Sequence, residues 1–219
     1  MRSVRARDLA LAAGCLGATV ALGGEPVRID VEGFYGVPES ATSEGRFVDP
    51  HFDYRSVAYY GGGINLRWIS AFSTLISVAS MEPGLRLTGL PEAGDYPFVG
   101  TVHATPVSLI VQWHPFGAGT VDPYVGAGAA WVLASNADLL PVIDEVTNIG
   151  AVLFDDRGAF VAEAGARLNV FGGLGLLVDV RYMPLTFDAT VQLSTAELGI
   201  PIEVQADPFL FGFGLSFRF

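Results

Sequence analysis

Large apolar residues occupy every second position in the last twelve residues of the chain, PFLFGFGLSFRF. One face of an extended strand would carry Phe209, Phe211, Phe213, Leu215, Phe217 and Phe219. The opposite face would carry Leu210, Gly212, Gly214, Ser216 and Arg218. Alternation with a period of two predicts a β-strand. A strand with all its large side chains on one side needs an apolar environment on that side.

The same alternation recurs along the chain and predicts eight strands. In chain order they cover residues 27–35, 59–68, 74–81, 102–114, 121–134, 159–171, 174–185 and 208–219. Short turns alternate with long connections, which are predicted as loops over about 37–53, 82–100, 135–156 and 188–207. Many strands reach the length of about 9–11 residues that a tilted strand needs to cross a bilayer. The pattern therefore predicts an all-β fold, an eight-stranded antiparallel transmembrane up-and-down β-barrel with short periplasmic turns and long extracellular loops.

Composition favours placing the apolar faces against lipid. Hydrophobic residues make up 51% of the 219 residues and charged residues 16%, whereas about 25% of residues are charged in soluble domains. Mean hydropathy is +0.44.

The faces opposite the apolar stripes carry charges of both signs: Arg28, Asp30, Glu32, Arg67, Glu163, Arg167, Asp179, Arg181 and Arg218. In a narrow lumen these four acids and five bases would form a nearly neutral ion-pair plug in the periplasmic half. The alternative is a soluble, lipocalin-like barrel with an apolar ligand against the phenylalanine face.

The first 24 residues have the layout of a secretory signal peptide. Three arginines precede an apolar stretch over 9–22, and small residues follow at 21–24. We expect cleavage within 21–24, which leaves residues 25–219 as one barrel domain without cysteine, because Cys15 lies in the leader. A lipoprotein signal at AAGC is the alternative.

The net charge of −11, with every strong base an arginine, argues against nucleic-acid binding.

Four segments resemble the outer-membrane protein W family in order and spacing. They are VSLIVQWHPF, DPYVGAGAAWVL, VDVRYMPLTFDAT and DPFLFGFGLSFRF. The resemblance implies an eight-stranded barrel in the outer membrane of a Gram-negative-type cell. It also implies the admission of small hydrophobic molecules, as in the alkane-import relatives. Members of the family can carry a lumen-narrowing aromatic residue where this chain has Arg181.

The inward positions suggest how such admission would work. Apolar inward candidates in the outer half are Phe34, Leu177, Met183, Leu185 and Leu210. An apolar cup above a charged plug would accept a hydrophobic solute but would not pass it straight through. Pro106, Pro184 and Pro208 lie near outer strand ends, and proline cannot donate to a strand ladder. We therefore expect lateral release through a seam at one of these prolines; the competing interpretation is that they only end strands.

The sequence is compatible with two other function classes. A structural or receptor barrel would present its acidic loops to phage, bacteriocins or host surfaces; the third loop carries Asp138, Asp144, Glu145, Asp155 and Asp156. A lipid A-modifying enzyme would need a histidine with a paired nucleophile. His51, His103 and His114 are scattered along the sequence, so we expect no catalytic activity, cofactor or metal.

Trp68, Trp113 and Tyr124 are expected in an interfacial aromatic girdle at the periplasmic turns.

The expected partners follow from the outer-membrane assignment. They are outer-membrane lipid and lipopolysaccharide, small hydrophobic solutes, periplasmic chaperones and the barrel-assembly machinery. By resemblance, barrels of this kind often end in an aromatic residue that the assembly machinery recognises, a role that Phe219 would fill here.

We predict that deletion of Phe219 lowers the amount of folded protein in the outer membrane, because the terminal ring is the expected assembly signal. Heat-modifiable migration of the protein in membrane fractions measures the folded amount. Phe219→Tyr, which keeps an aromatic terminus, serves as the control. Normal membrane levels of the deletion variant would contradict the assignment.

Overall fold

A computed structural model describes residues 21–22, 25–39, 51–55, 59–82, 84–90, 94–117, 119–135, 138–139, 149–193, 199–206 and 209–219. Eight strands form a closed barrel. They are β1 (Arg28–Glu39), β2 (Tyr59–Ile69), β3 (Phe72–Met81), β4 (Ala104–Trp113), β5 (Val121–Ala134), β6 (Arg157–Phe171), β7 (Leu174–Tyr182) and β8 (Phe209–Arg218). Each strand pairs antiparallel with the next, and β8 pairs with β1 from Phe209↔Glu39 to Arg218↔Asp30. The predicted barrel class and strand number are confirmed.

Strand ends follow local turn chemistry. The turn between β6 and β7 contains Gly172 and Gly173 at φ values of 56° and 87°, where L-residues with a side chain are strained. At its other end β7 stops at Tyr182, three residues before the predicted end. Pro184 follows two residues later, and a residue without an N–H cannot donate to the ladder.

The long connections contain β-structure that alternation alone did not predict. Strands His51–Arg55, Gly84–Leu90, Gly94–Thr101 and Asp138–Leu139 form a four-stranded sheet, and Ile149–Phe154, Leu185–Leu193 and Gly199–Ala206 form a three-stranded one. Ala21–Leu22 also pairs with Glu25–Pro26. Interrupting residues such as Pro97 and Pro201 obscure the period in these segments. Both sheets belong to the connections opposite the short turns.

The outward faces are apolar along the barrel strands. On β8, Phe209, Phe211, Phe213, Leu215 and Phe217 are 45–58% exposed, while Leu210 and Ser216 between them are buried. Trp68, Trp113 and Trp131 all lie on the outer surface. Tyr124 is 2% exposed and faces inward, so its expected place in the aromatic girdle is wrong. A continuous apolar outer surface of this kind suits a lipid environment.

No helix among the described residues has the length and apolar character needed to cross a membrane.

We predict that nitroxide labels on cysteines introduced at Phe211 and Phe213 contact acyl chains in a reconstituted bilayer. Their collision rates should be high with oxygen and low with a water-soluble nickel complex, because both side chains point outward. A label at Ser70, exposed in the β2–β3 turn, should show the reverse. Nickel accessibility at 211 and 213 would mean that the faces are inverted.

Candidate functional site in the barrel lumen

A buried ionic cluster crosses the half of the lumen next to the short turns. The Arg167 guanidinium on β6 binds the Asp30 carboxylate at 2.5 Å and the Glu32 carboxylate, both from β1. Arg218 on β8 donates to the other Asp30 oxygen at 2.9 Å. Arg167, Asp30 and Glu32 are at most 3% exposed. The first, sixth and eighth strands are therefore joined through the interior as well as through their ladders.

Amide side chains extend this cluster to β2, β4 and β7. The Asn65 amide donates to Gln112 at 2.6 Å and to Glu32 at 3.3 Å. Gln112 in turn donates to Glu163 at 2.8 Å. Arg181 Nε lies 2.9 Å from Glu163 and 2.7 Å from Asp179.

A second branch closes the floor of the barrel. Arg67 on β2 donates to Asp122 on β5, and the His114 ring lies 2.8 Å from the same carboxylate. Ser73 Oγ on β3 lies 2.8 Å from the other nitrogen of His114 and also donates to Gln112. With this branch, every barrel strand contributes a polar side chain to one network, here called the polar plug.

The Ser73–His114–Asp122 order has the connectivity of a hydrolytic triad. Ser73 and Asp122 are fully buried and His114 is 1% exposed, so no substrate can reach the hydroxyl in this structure. We therefore assign the three groups to hydrogen bonding within the polar plug. No set of three His, Cys, Asp or Glu residues in the described part of the chain is grouped to hold a metal ion.

The structure places most of the predicted charged residues in this network. Asp30, Glu32, Arg67, Glu163, Arg167, Asp179 and Arg181 are buried, and Arg218 is partly buried. Arg28 shares their face but is exposed at the barrel end, outside the buried network. Sequence reasoning missed Asn65, Ser73, Gln112 and Asp122. With Asp122 included and Arg28 outside, the polar plug contains five carboxylates and four guanidinium groups rather than four acids and five bases.

Above the polar plug, the lumen is filled by an apolar cluster. Phe34, Met183, Leu185 and Leu210 belong to it, together with Val152 and Phe154 from the three-stranded sheet segment. Leu177 is also buried, but it pairs with Arg167 and lies outside this cluster. The apolar interior therefore continues from the barrel into the strands of the long connections.

The boundary between the two halves contains a cavity of about 10 Å³, close to the space that one water molecule needs. Its lining combines polar Tyr59, Ser77, Ser108 and Arg181 with apolar Ala79, Pro106, Val161, Met183 and Leu210. The Arg181 guanidinium lies over the Phe34 ring at 4.5 Å from its centroid.

The predicted seam prolines have three different positions. Pro106 lies within β4, is buried, and coincides with an interruption of the β3–β4 ladder. That ladder pairs Val78 with Val107 and Met81 with Ala104, with no pair between these two. Pro184 follows the end of β7, and Pro208 lies outside the described residues.

An apolar groove lies on the outer wall beside this interruption. Its volume is about 550 Å³, and its lining includes Ile76, Val107, Leu109, Ala129 and Trp131. Ser108 lines both this groove and the inner cavity, so a single residue layer separates the two spaces at that point.

Comparison with known proteins places this architecture in a family. The model of the OmpW family matches residues 71–219, more than half of the chain. The chain belongs to the OmpW family. An eight-stranded barrel of this family lies in the outer membrane of a Gram-negative bacterium, in contact with lipid and lipopolysaccharide. No curated protein matches the chain.

Solved structures share the OmpW-type fold at low sequence identity. The outer membrane protein OprG from Pseudomonas aeruginosa has a TM-score of 0.76 and 16% identity, covering 88% of this chain and 95% of that one. The outer membrane protein AlkL in lipid bilayers has a TM-score of 0.60 and 19% identity, covering 87% and 90%. Outer membrane protein W of E. coli has a TM-score of 0.51 and 18% identity, covering 88% and 97%.

We predict that Arg167→Leu lowers the free energy of unfolding by about 3–5 kcal/mol, the usual cost of leaving buried charges without their partner. The substitution removes the guanidinium shared by two carboxylates that are at most 2% exposed. Among the described residues, Asp30 then keeps only Arg218, and Glu32 keeps only the neutral Asn65 amide. Urea titration in micelles, followed by tryptophan fluorescence, measures the change.

Arg157→Leu is the matched control for this measurement. Its ion pair with Asp188 is 41% and 56% exposed on the two sides, and exposed pairs contribute about 0–1 kcal/mol. Equal losses in the two variants would show that the polar plug is not held by its charges.

Proposed function

We propose that this OmpW-family barrel admits small hydrophobic molecules across the outer membrane. In the proposed route, a solute enters the apolar outer lumen from the extracellular side and is stopped by the polar plug. It then leaves sideways through the β3–β4 seam at Pro106. The observation that carries the proposal is the division of the lumen into two halves: an apolar half on the side of the long connections and an ion-paired half on the side of the short turns.

The polar plug supports the blocked end of this route. A hydrophobic solute passing straight through would have to separate Arg167 from Asp30 and Glu32 in a lumen that only side chains fill. Separating buried ion pairs costs several kcal/mol for each partner stranded, about 3–5 kcal/mol in measured cases. An apolar molecule forms no hydrogen bonds with carboxylates or guanidinium groups, so its contacts offset little of the free energy needed to separate the ion pairs.

The barrel wall supports the open end. Proline removes a ladder donor, and two successive pairings are missing where Pro106 lies opposite Ala79 of β3. The outer groove is lined by Val107, the residue next to Pro106, and offers apolar contacts to a molecule that leaves the lumen through the seam. Release there delivers the solute to acyl chains without crossing the plug.

The apolar cluster fills the lumen in this structure, so admission requires it to rearrange. Met183 is suited to this, because its unbranched thioether side chain changes shape at low cost. The neighbouring cavity of about 10 Å³ gives a starting point for widening.

A structural or receptor role is the second candidate. The two sheets formed by the long connections would give a binding partner a defined surface rather than irregular loops. This role does not require the lumen to open, and it predicts no change in solute uptake when the protein is removed.

We predict that cells with the protein take up n-octane faster than cells without it. Pro106→Val should return uptake toward the rate of cells without the protein, because valine restores an N–H to the interrupted ladder at nearly unchanged size. Uptake of labelled octane into cells with matched levels of folded barrel provides the measurement.

Pro123→Val is the control substitution, since Pro123 lies near the periplasmic end of β5, away from the seam. It should leave uptake unchanged. Equal octane uptake with and without the protein would reject transport; faster uptake that Pro106→Val leaves intact would reject only the lateral route.

A further inference from the structure

Tyr59 crosses the lumen in a slot made by two glycines. A Cβ added at Gly36 on β1 would meet the Tyr59 ring, and one added at Gly212 on β8 would meet its hydroxyl and the Asp179 carboxylate. The absence of these side chains lets a residue of β2 extend past β1 and β8 toward β7. Tyr59 is 1% exposed, and its hydroxyl has no hydrogen-bond partner among the described residues.

Arg181 brings a second unpartnered donor to the same place. Its Nε faces both Glu163 and Asp179, whereas its Nη2 is buried without a partner in the described part of the chain. Arg181 is 6% exposed. Tyr59 and Arg181 both line the cavity at the boundary of the polar plug and the apolar cluster. The two residues therefore line a small cavity of mixed polarity at the base of the apolar cluster.

Buried donors without acceptors are costly, and a bound group that accepts hydrogen bonds removes the cost. The surroundings restrict what that group can be. One guanidinium faces two carboxylates here, so a further anion would be repelled. Asp179 Oδ1 is a buried acceptor that also has no hydrogen-bond partner within the described ranges. A neutral group that both accepts and donates, which is a hydroxyl, satisfies this arrangement.

We propose that the pocket at Tyr59 and Arg181 binds the hydroxyl of a neutral, single-chain amphiphile, the chemical class of medium-chain primary alcohols. The hydroxyl replaces the water for which the cavity has room, and the alkyl chain extends along Phe34, Met183 and Leu210 into the apolar cluster. An alkane leaves the donors unsatisfied, and a carboxylate meets the excess negative charge. This substrate preference rests on the proposed uptake function and refines it.

Tyr59→Phe is the decisive variant, because it removes only a hydroxyl that has no hydrogen-bond partner among the described residues. One neutral hydrogen bond corresponds to a change of roughly threefold to tenfold in affinity. We expect Tyr59→Phe to weaken binding of 1-octanol by about that factor and to leave n-octane binding unchanged. Octanoate should bind more weakly than 1-octanol to the wild-type protein. The binding measurement uses ¹³C-labelled ligands with the full barrel in lipid nanodiscs, where magnetisation transfer to the Tyr59 ring separates lumen binding from partition into lipid.

Tyr60→Phe is the matched control, since the adjacent Tyr60 is 58% exposed on the outer surface. It should change neither affinity. Urea unfolding of Tyr59→Phe shows whether the hydroxyl binds ligand or stabilises the fold. We expect the free energy of unfolding to be undiminished, and a clear decrease would mean that the hydroxyl has a structural role. Arg181→Lys, which keeps the charge but removes Nη2, should also reduce the preference for the alcohol over the alkane.

Uptake in cells distinguishes a failure of the pocket assignment from a failure of the uptake function. If neither octane nor octanol enters faster with the protein, the uptake function itself fails. If octane enters faster but Tyr59→Phe leaves the octanol-to-octane ratio unchanged, the pocket assignment fails while the uptake function stands. A fall of the ratio in Tyr59→Phe but not in Tyr60→Phe supports the assignment.

Discussion

A strand in hydrocarbon must find every backbone hydrogen-bond partner in its neighbouring strands, because lipid supplies none. The β8–β1 ladder meets this requirement by ending with Arg218 opposite Asp30, which closes the sheet. Closure of only eight strands leaves an interior that side chains fill. Each inward residue therefore contacts residues from distant parts of the chain, and the properties of the lumen follow from these contacts.

Charged residues in so narrow an interior have little water, so they must satisfy one another. Arg167 does this with two carboxylates from β1, and the amides of Asn65 and Gln112 connect that cluster to Glu163. Networks of this kind are not the most stable filling for a lumen, because desolvation of the charges offsets much of their attraction. Their consequence is geometric. In the proposed route they block the periplasmic half to an apolar molecule, which leaves the wall as the exit.

Alternation in the sequence was enough to predict the eight barrel strands and their two faces, because each strand places alternate side chains toward lipid and toward the lumen. Phe211 and Arg167 could be placed in this way without any tertiary information. Asn65 and Ser73 also occupy inward positions, but uncharged polar residues occur on either face of a strand and give no distinct signal. Asp122 was detectable, since it follows Val121 and precedes Pro123 in an alternating stretch. Leu177 shows the converse limit: the period gives its face, whereas its height beside Arg167 depends on the barrel register.

The polar floor of the apolar half could not be read from the sequence, because it depends on the absence of side chains. Gly36 and Gly212 look like ordinary strand glycines, and only the structure shows that they admit the Tyr59 ring. Arg181 then has a different effect from the aromatic residue that the family resemblance leads one to expect at its position. An aromatic ring would narrow the lumen without changing its chemistry, whereas Arg181 leaves a donor facing the apolar space. In the proposed pocket, a donor at the base of the apolar cluster favours a solute that can accept its hydrogen bond, so the solute's functional group would matter as well as its size.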